Sequence, residues 1–132
     1  MKFLLDTDTC IYLLKKHPKT LTRFRAENAD NIGISSVTAF ELLTGVEKCD
    51  DPQRERGKLD MLRAGLQTFD FDEAAAAAAA KVRATLESKG QVIGPYDTLV
   101  AGHALELSVI LVTHNTREFK RVQGLKVEDW VA

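Results

Sequence analysis

The sequence predicts an α/β domain with a mostly parallel central sheet covered by helices on both faces. Runs of four or five apolar residues alternate with helix-patterned segments along the whole chain, and no linker or repeat interrupts them. The size agrees: 132 residues, 45% of them hydrophobic, suit one core, so residues 1–132 read as a single domain.

Each element has a local reason. Lys2 to Leu5 is an apolar run halted at Asp6, as expected of a buried strand. Thr9 to Lys16 carries Ile11, Leu13 and Leu14 and closes at His17-Pro18; Thr20 to Asn28 reads as a second helix, with Leu21 and Phe24 on one face. Ile32 to Ile34 is strand-like, and Ser35-Ser36 caps the helix-spaced segment Val37 to Cys49. Asp51-Pro52 fits a helix cap followed by a first-turn proline, opening a charged amphipathic helix to about Leu66. Thr68 to Phe71 is a short strand, after which Asp72 caps a long helix from Glu73 to about Lys89. Its alanine run, Ala74 to Ala80, is built of the strongest helix former and permits close packing; Gly90 is its stop. Gly94-Pro95 starts a helix through Leu107, Val109 to Val112 is a strand, Thr116 to Val122 a short helix, and Lys126 to Val131 a last strand.

Bulk properties exclude several classes. The apolar fraction is too high for a disordered chain, and no apolar stretch approaches the ~20 residues of a membrane span. Met1 to Leu5 runs straight into Asp6 without a signal-peptide pattern, which predicts a cytoplasmic protein. Cys10 and Cys49 form no C-x-x-C pair and read as small apolar residues in a reducing compartment. A net charge of −1 is not that of a generic nucleic-acid binder, so local arrangement decides. Lys15, Lys16, Arg23 and Arg25, and again Arg117, Lys120 and Arg121, are either phosphate contacts or solvated faces.

In an open parallel sheet, ligands bind beyond the carboxyl ends of the strands. Asp6 and Asp8 follow the first strand, and Thr113, His114 and Asn115 follow Val112. Asp97 stands near a helix start, where the dipole favours a carboxylate, and Glu41 lies a turn into the helix after Ile34. Asp6, Glu41 and Asp97 come from separate segments but can all converge on the same edge. Unpaired carboxylates so close raise one another's pKa unless a cation intervenes. Oxygen ligands without His or Cys suit Mg²⁺ or Mn²⁺ rather than zinc, and such ions serve phosphodiester chemistry. Local roles compete at every position: Asp8 or Thr9 as a helix cap, Thr38-Ala-Phe-Glu41 as a capping box, Asn115 as a cap before Thr116. His17, His103 and His114 lack zinc-ligand spacing.

Four segments together carry a family resemblance: Phe3-Leu-Leu-Asp-Thr-Asp-Thr-Cys-Ile11, Ile34-Ser-Ser-Val-Thr-Ala-Phe-Glu-Leu-Leu-Thr-Gly45, Ile93-Gly-Pro-Tyr-Asp-Thr-Leu-Val-Ala-Gly-His103 and Leu111-Val-Thr-His-Asn-Thr-Arg-Glu-Phe119. In order and spacing the chain resembles PIN-domain ribonucleases, in particular the enteric-type VapC toxins of bacterial toxin–antitoxin pairs. The resemblance implies a PIN-like fold over the full length and an Mg²⁺-dependent endoribonuclease that hydrolyses RNA to a 5′-phosphate and a 3′-hydroxyl. It assigns Asp6 and Asp97 to metal coordination and Glu41 to holding metal or orienting the attacking water. Asn115 falls where many relatives carry a fourth acid; it hydrogen-bonds but brings no charge, and Glu118 one turn on is placed either to compensate or to lie on the surface. Asp8 stands where the family usually has asparagine, and with Thr113 it supports the site. The resemblance further implies a tRNA anticodon loop as substrate, a VapB-type antitoxin covering the cleft, and a homodimer within a larger toxin–antitoxin assembly.

Two other readings share part of the pattern. Leu5-Asp-Thr-Asp-Thr9 imitates the nucleophile motif of haloacid-dehalogenase phosphatases, with Asp6 as nucleophile, although Thr113-His-Asn115 supplies no acidic pair. A catalytically inactive PIN-like RNA-binding module is the other.

Overall fold

A computed structural model describes residues 1–132. The chain runs β1 (Phe3–Leu5), α1 (Thr7–Leu14), α2 (Pro18–Arg25), a 3-10 turn (Ala29–Asn31), β2 (Ile32–Ser35), α3 (Ser36–Lys48), α4 (Pro52–Ala64), β3 (Gln67–Phe69), α5 (Glu73–Ser88), α6 (Pro95–Leu107), β4 (Ile110–Val112), α7 (Thr116–Phe119) and β5 (Val127–Glu128). The five strands form one sheet in the order β3-β2-β1-β4-β5, every neighbouring pair parallel. The α/β class predicted from the sequence is the one observed. No helix is long and apolar enough to cross a membrane.

Alternation along the two central strands sorts the core into two layers. Phe3 and Leu5 of β1 and Val112 of β4 face one cluster with Leu13, Leu42, Leu59 and Trp130. Leu4 and Leu111, on the opposite face, join Val82, Leu86, Val100, Ala104 and Phe119. Burying each such side chain contributes roughly 1.5–3 kcal/mol, so a one-residue slip of β1 would be strongly disfavoured. The alanine run has the predicted purpose. α5 lies so close to α6 that a Cβ on Gly102 would sit 2.4 Å from the Ala79 backbone, and only small residues permit that approach.

Element boundaries differ from expectation where caps compete. α1 begins at Thr7 rather than Thr9, because Asp6 itself is the cap and accepts from the Thr7 N–H at 2.8 Å. α2 starts at Pro18 with His17 as its cap, α7 ends at Phe119, and the last strand is limited to Val127–Glu128. The predicted strand Thr68 to Phe71 sits at Gln67–Phe69, with the Phe71 N–H donated instead to Ser36 Oγ at 2.9 Å. Asp51 and Asp72 cap their helices as predicted, and Gly90 takes the positive φ of 64° that ends α5.

Strand order also fixes where a ligand can bind. From β1 the chain moves to β2 and β3 on one side, then returns to β4 on the other. The switch point therefore lies between β1 and β4, and its crevice opens beyond Leu5 and Val112.

Candidate active site

Asp6 occupies that crevice. Strand and helix meet at this residue without a turn, so its carboxylate is 4% exposed and pinned at both oxygens. Oδ1 accepts from the Thr7 N–H at 2.8 Å, and Oδ2 from the Thr113 hydroxyl at 2.9 Å. Burial, then the charges of Asp8 and Asp97, push its pKa up to about 7 against two hydrogen bonds that oppose the rise. Thr113, at the end of β4, is the hinge between acids: its Oγ1 also lies 3.4 Å from Asp8 and accepts from the Asn115 N–H at 3.1 Å. Asp8 further accepts from the His114 N–H at 3.2 Å.

Glu41 approaches from α3. Its Oε1 accepts from the Thr7 hydroxyl at 2.7 Å, which ties it to the residue after Asp6. The capping-box alternative is not realised. Ser35 caps α3 through the Val37 N–H, and the Glu41 carboxylate bonds the Thr7 hydroxyl rather than a backbone amide.

Asp97 stands in the first turn of α6, half-buried. Burial first, then the charges of Glu118 and Glu41, raise its pKa to about 7. Glu118 is lowered instead, because it accepts from the Gly94 N–H at 2.8 Å and from the Asn115 side-chain amide. Asn115 sits at the cap position of α7 but caps no backbone group with its side chain; its amide is spent on Glu118. Gly94 closes the group: a Cβ there would lie 3.3 Å from Asp97 Oδ2.

Asp6, Asp8, Glu41, Asp97 and Glu118 are thus gathered at one crevice, and none forms an ion pair with Lys or Arg. No three acids, histidines or cysteines yet surround a common point in coordination geometry. The donor set nevertheless fits a hard divalent cation: all oxygen, unpaired with Lys or Arg, with two pKa values raised by burial first and by neighbouring carboxylates second. The histidines stay outside it. His103 is buried with Nδ1 2.8 Å from Ser35 Oγ, His17 caps α2, and His114 faces Asp129 at 3.1 Å. Asp6 has no lysine partner, which a phospho-aspartate site requires. Arg23 is occupied structurally, bonded to Glu27 and Glu128 and laid 4.9 Å over the Trp130 ring.

Residues 3–125 match the PIN-domain family model. The chain is 41% identical to the tRNA(fMet)-specific endonuclease VapC of Shigella flexneri over 130 residues, spanning 98% of both chains. The chain belongs to the PIN-domain family, among the VapC ribonucleases. Solved VapC relatives have the same fold. The DNA-bound VapBC complex of Salmonella typhimurium superposes with a TM-score of 0.94 at 40% identity, covering 98% of each chain. VapBC2 of Rickettsia felis, bound to a promoter DNA fragment, gives 0.93 at 36% identity, covering 98% and 99%. Membership among these nucleases implies use of a divalent metal ion.

Sequence reasoning missed Thr7 and the Gly94 amide. Thr7 was hidden inside the Asp-Thr-Asp-Thr motif, although a hydroxyl flanked by two site acids is a signal in itself. The Gly94 contact joins residues 24 positions apart and leaves no local trace.

Proposed function

We propose that this chain is an Mg²⁺-dependent endoribonuclease, the toxin half of a toxin–antitoxin pair, acting in the cytoplasm on the anticodon loop of tRNA. The single observation that carries the reading is the uncompensated acidic crevice at the β1/β4 switch point, with Asp6 and Asp97 held near neutral pKa. Residues 1–132 act as one PIN domain. Asp6 and Asp97 would hold the cation, and Glu41 would hold it beside them or take a proton from the attacking water. A bound divalent ion supplies positive charge to the phosphate oxygens and makes water a better nucleophile at neutral pH. Thr7 and Thr113 fix the carboxylates in place, while Asn115 and Asp8 shape the outer rim through Glu118 and His114. Water attacks phosphorus in line, the bond to the 3′-oxygen breaks, and the products are a 5′-phosphate and a 3′-hydroxyl. The ribose 2′-hydroxyl takes no part.

The tRNA target is supported by the name of the Shigella relative, and by the rule that proteins read RNA sequence chiefly in unpaired loops. A VapB-type antitoxin partner is supported by the VapBC complexes among the structural relatives. We further propose a homodimer within that larger assembly.

Cellular RNA incubated with the wild type and with Asp6→Ala, in Mg²⁺ and in EDTA, tests the reading when the new ends are sequenced. A discrete Mg²⁺-dependent cut in a tRNA anticodon loop, absent from the mutant, is expected. A cut confined to another RNA would overturn the tRNA assignment; equal patterns from the two proteins would overturn the site.

A further inference from the structure

Of nine aromatic residues, only Phe40 and Tyr96 are exposed, at 52% and 45%. Each directly precedes a site acid, Glu41 on α3 and Asp97 on α6. Their rings meet across the two helices with centroids 5.7 Å apart and planes tilted by 56°, and both residues remain about half exposed. Beside Tyr96 lies a mainly apolar groove of about 520 Å³, lined in part by Phe71, Ala80, Val92 and Pro95. Neither ring belongs to either core cluster or packs against one.

We infer that Phe40 and Tyr96 form a stacking platform for an unpaired base next to the scissile phosphate; this rests on the ribonuclease reading above. Electrostatics points the same way. Five carboxylates line the crevice and the chain's net charge is −1, so the protein alone offers RNA little attraction where it must be cut. A ring face attracts a base without charge, and every base has such a face to offer. The two helices that carry Glu41 and Asp97 into the crevice also bring the two rings together, so a loop base held on the rings would keep its backbone beside the acids.

The test uses a stem-loop RNA with the anticodon loop of initiator tRNA, carrying 2-aminopurine at each unpaired position in turn. Binding is read by fluorescence in an Asp6→Asn background, and cleavage with the active chain. We expect quenching at one loop position, lost in Phe40→Leu and Tyr96→Leu and retained in Phe40→Trp. In the active chain, both leucine variants should raise KM roughly 5- to 100-fold, the range of a lost base–aromatic stack, with kcat within about threefold. Cleavage with no quenching anywhere would overturn the platform and leave the nuclease standing. Quenching by a chain that cuts no RNA would overturn the nuclease and leave the platform; neither signal would overturn both. A leucine variant that shifts sedimentation towards monomer while KM is unchanged would make the pair a protein interface and refute the inference.

Discussion

Replacing Asp6 with asparagine should stabilise the metal-free protein at alkaline pH while abolishing cleavage. A carboxyl that ionises at 3.8 in the unfolded chain and at about 7 in the fold loses stability as pH rises between those values. Below about pH 3 both states keep the proton and the group contributes almost no penalty. By pH 8 both are ionised, and the full shift is worth about 4 kcal/mol against the fold. Asparagine removes that penalty and keeps the acceptor for the Thr7 N–H, but its amide nitrogen replaces the oxygen that accepts from Thr113. Allowing about 1 kcal/mol for that bond leaves a net gain of about 3 kcal/mol at pH 8. At pH 5 the same arithmetic leaves less than about 1 kcal/mol. Urea unfolding of both proteins in EDTA at pH 5, 6.5 and 8 measures the trend. With saturating Mg²⁺ the gap should narrow or reverse, because ligand binds only the wild-type fold tightly. A mutant no more stable than wild type at pH 8 in EDTA would refute the claim that Asp6 is buried against its charge.

Further predictions follow from the same contacts. Asp97→Asn and Glu41→Gln should each lower cleavage by at least about 100-fold with folding intact by circular dichroism. Thr7→Val removes the 2.7 Å bond to Glu41 and should lower cleavage about 10- to 100-fold, the range typical for groups that orient a metal-site ligand. Gly94→Ala brings a methyl 3.3 Å from Asp97 Oδ2 at an ordinary backbone φ of −55°, so activity should fall while the melting temperature barely moves. Glu118→Gln removes the largest neighbouring charge on Asp97, and the acidic limb of the pH–rate profile should move to lower pH.

The layers of this fold were legible because burial imposes a period. Leu4 between Phe3 and Leu5, and Leu111 before Val112, alternate as a two-faced sheet demands, and Asp51, Asp72 and Gly90 cap or stop helices by local geometry alone. The acids could be picked out because Asp6 and Thr113 follow strands directly, where parallel sheets bind ligands. Local signals failed where two caps compete. Ser35 took the start of α3 from Thr38, which freed Glu41 for the site, and Asp6 took the start of α1 from Asp8. What joins the acids was not legible at all: Thr7 to Glu41 spans 34 positions and Thr113 to Asp6 spans 107, separations no local pattern encodes.

Charge placement ties these observations together. The chain has 19 acids and 18 Lys and Arg residues, yet the upward-shifted carboxyls are Asp6 and Asp97, both at the same crevice. Elsewhere acids are neutralised close to home, as in Arg56–Asp60, Arg83–Glu87 and the pair that Arg23 makes with Glu27. Helix N-termini at Asp6 and Asp97 soften the repulsion, since the dipoles of α1 and α6 point their positive ends there. They do not remove it, and no Lys or Arg forms an ion pair with Asp6 or Asp97. A protein lysine in the crevice would relieve Asp6 and raise stability, but it would fill the position that a phosphate-binding cation needs. The buried carboxylate charge that costs stability at Asp6 is also the charge that would hold a divalent ion, which is why one substitution should move stability and ion binding in opposite directions.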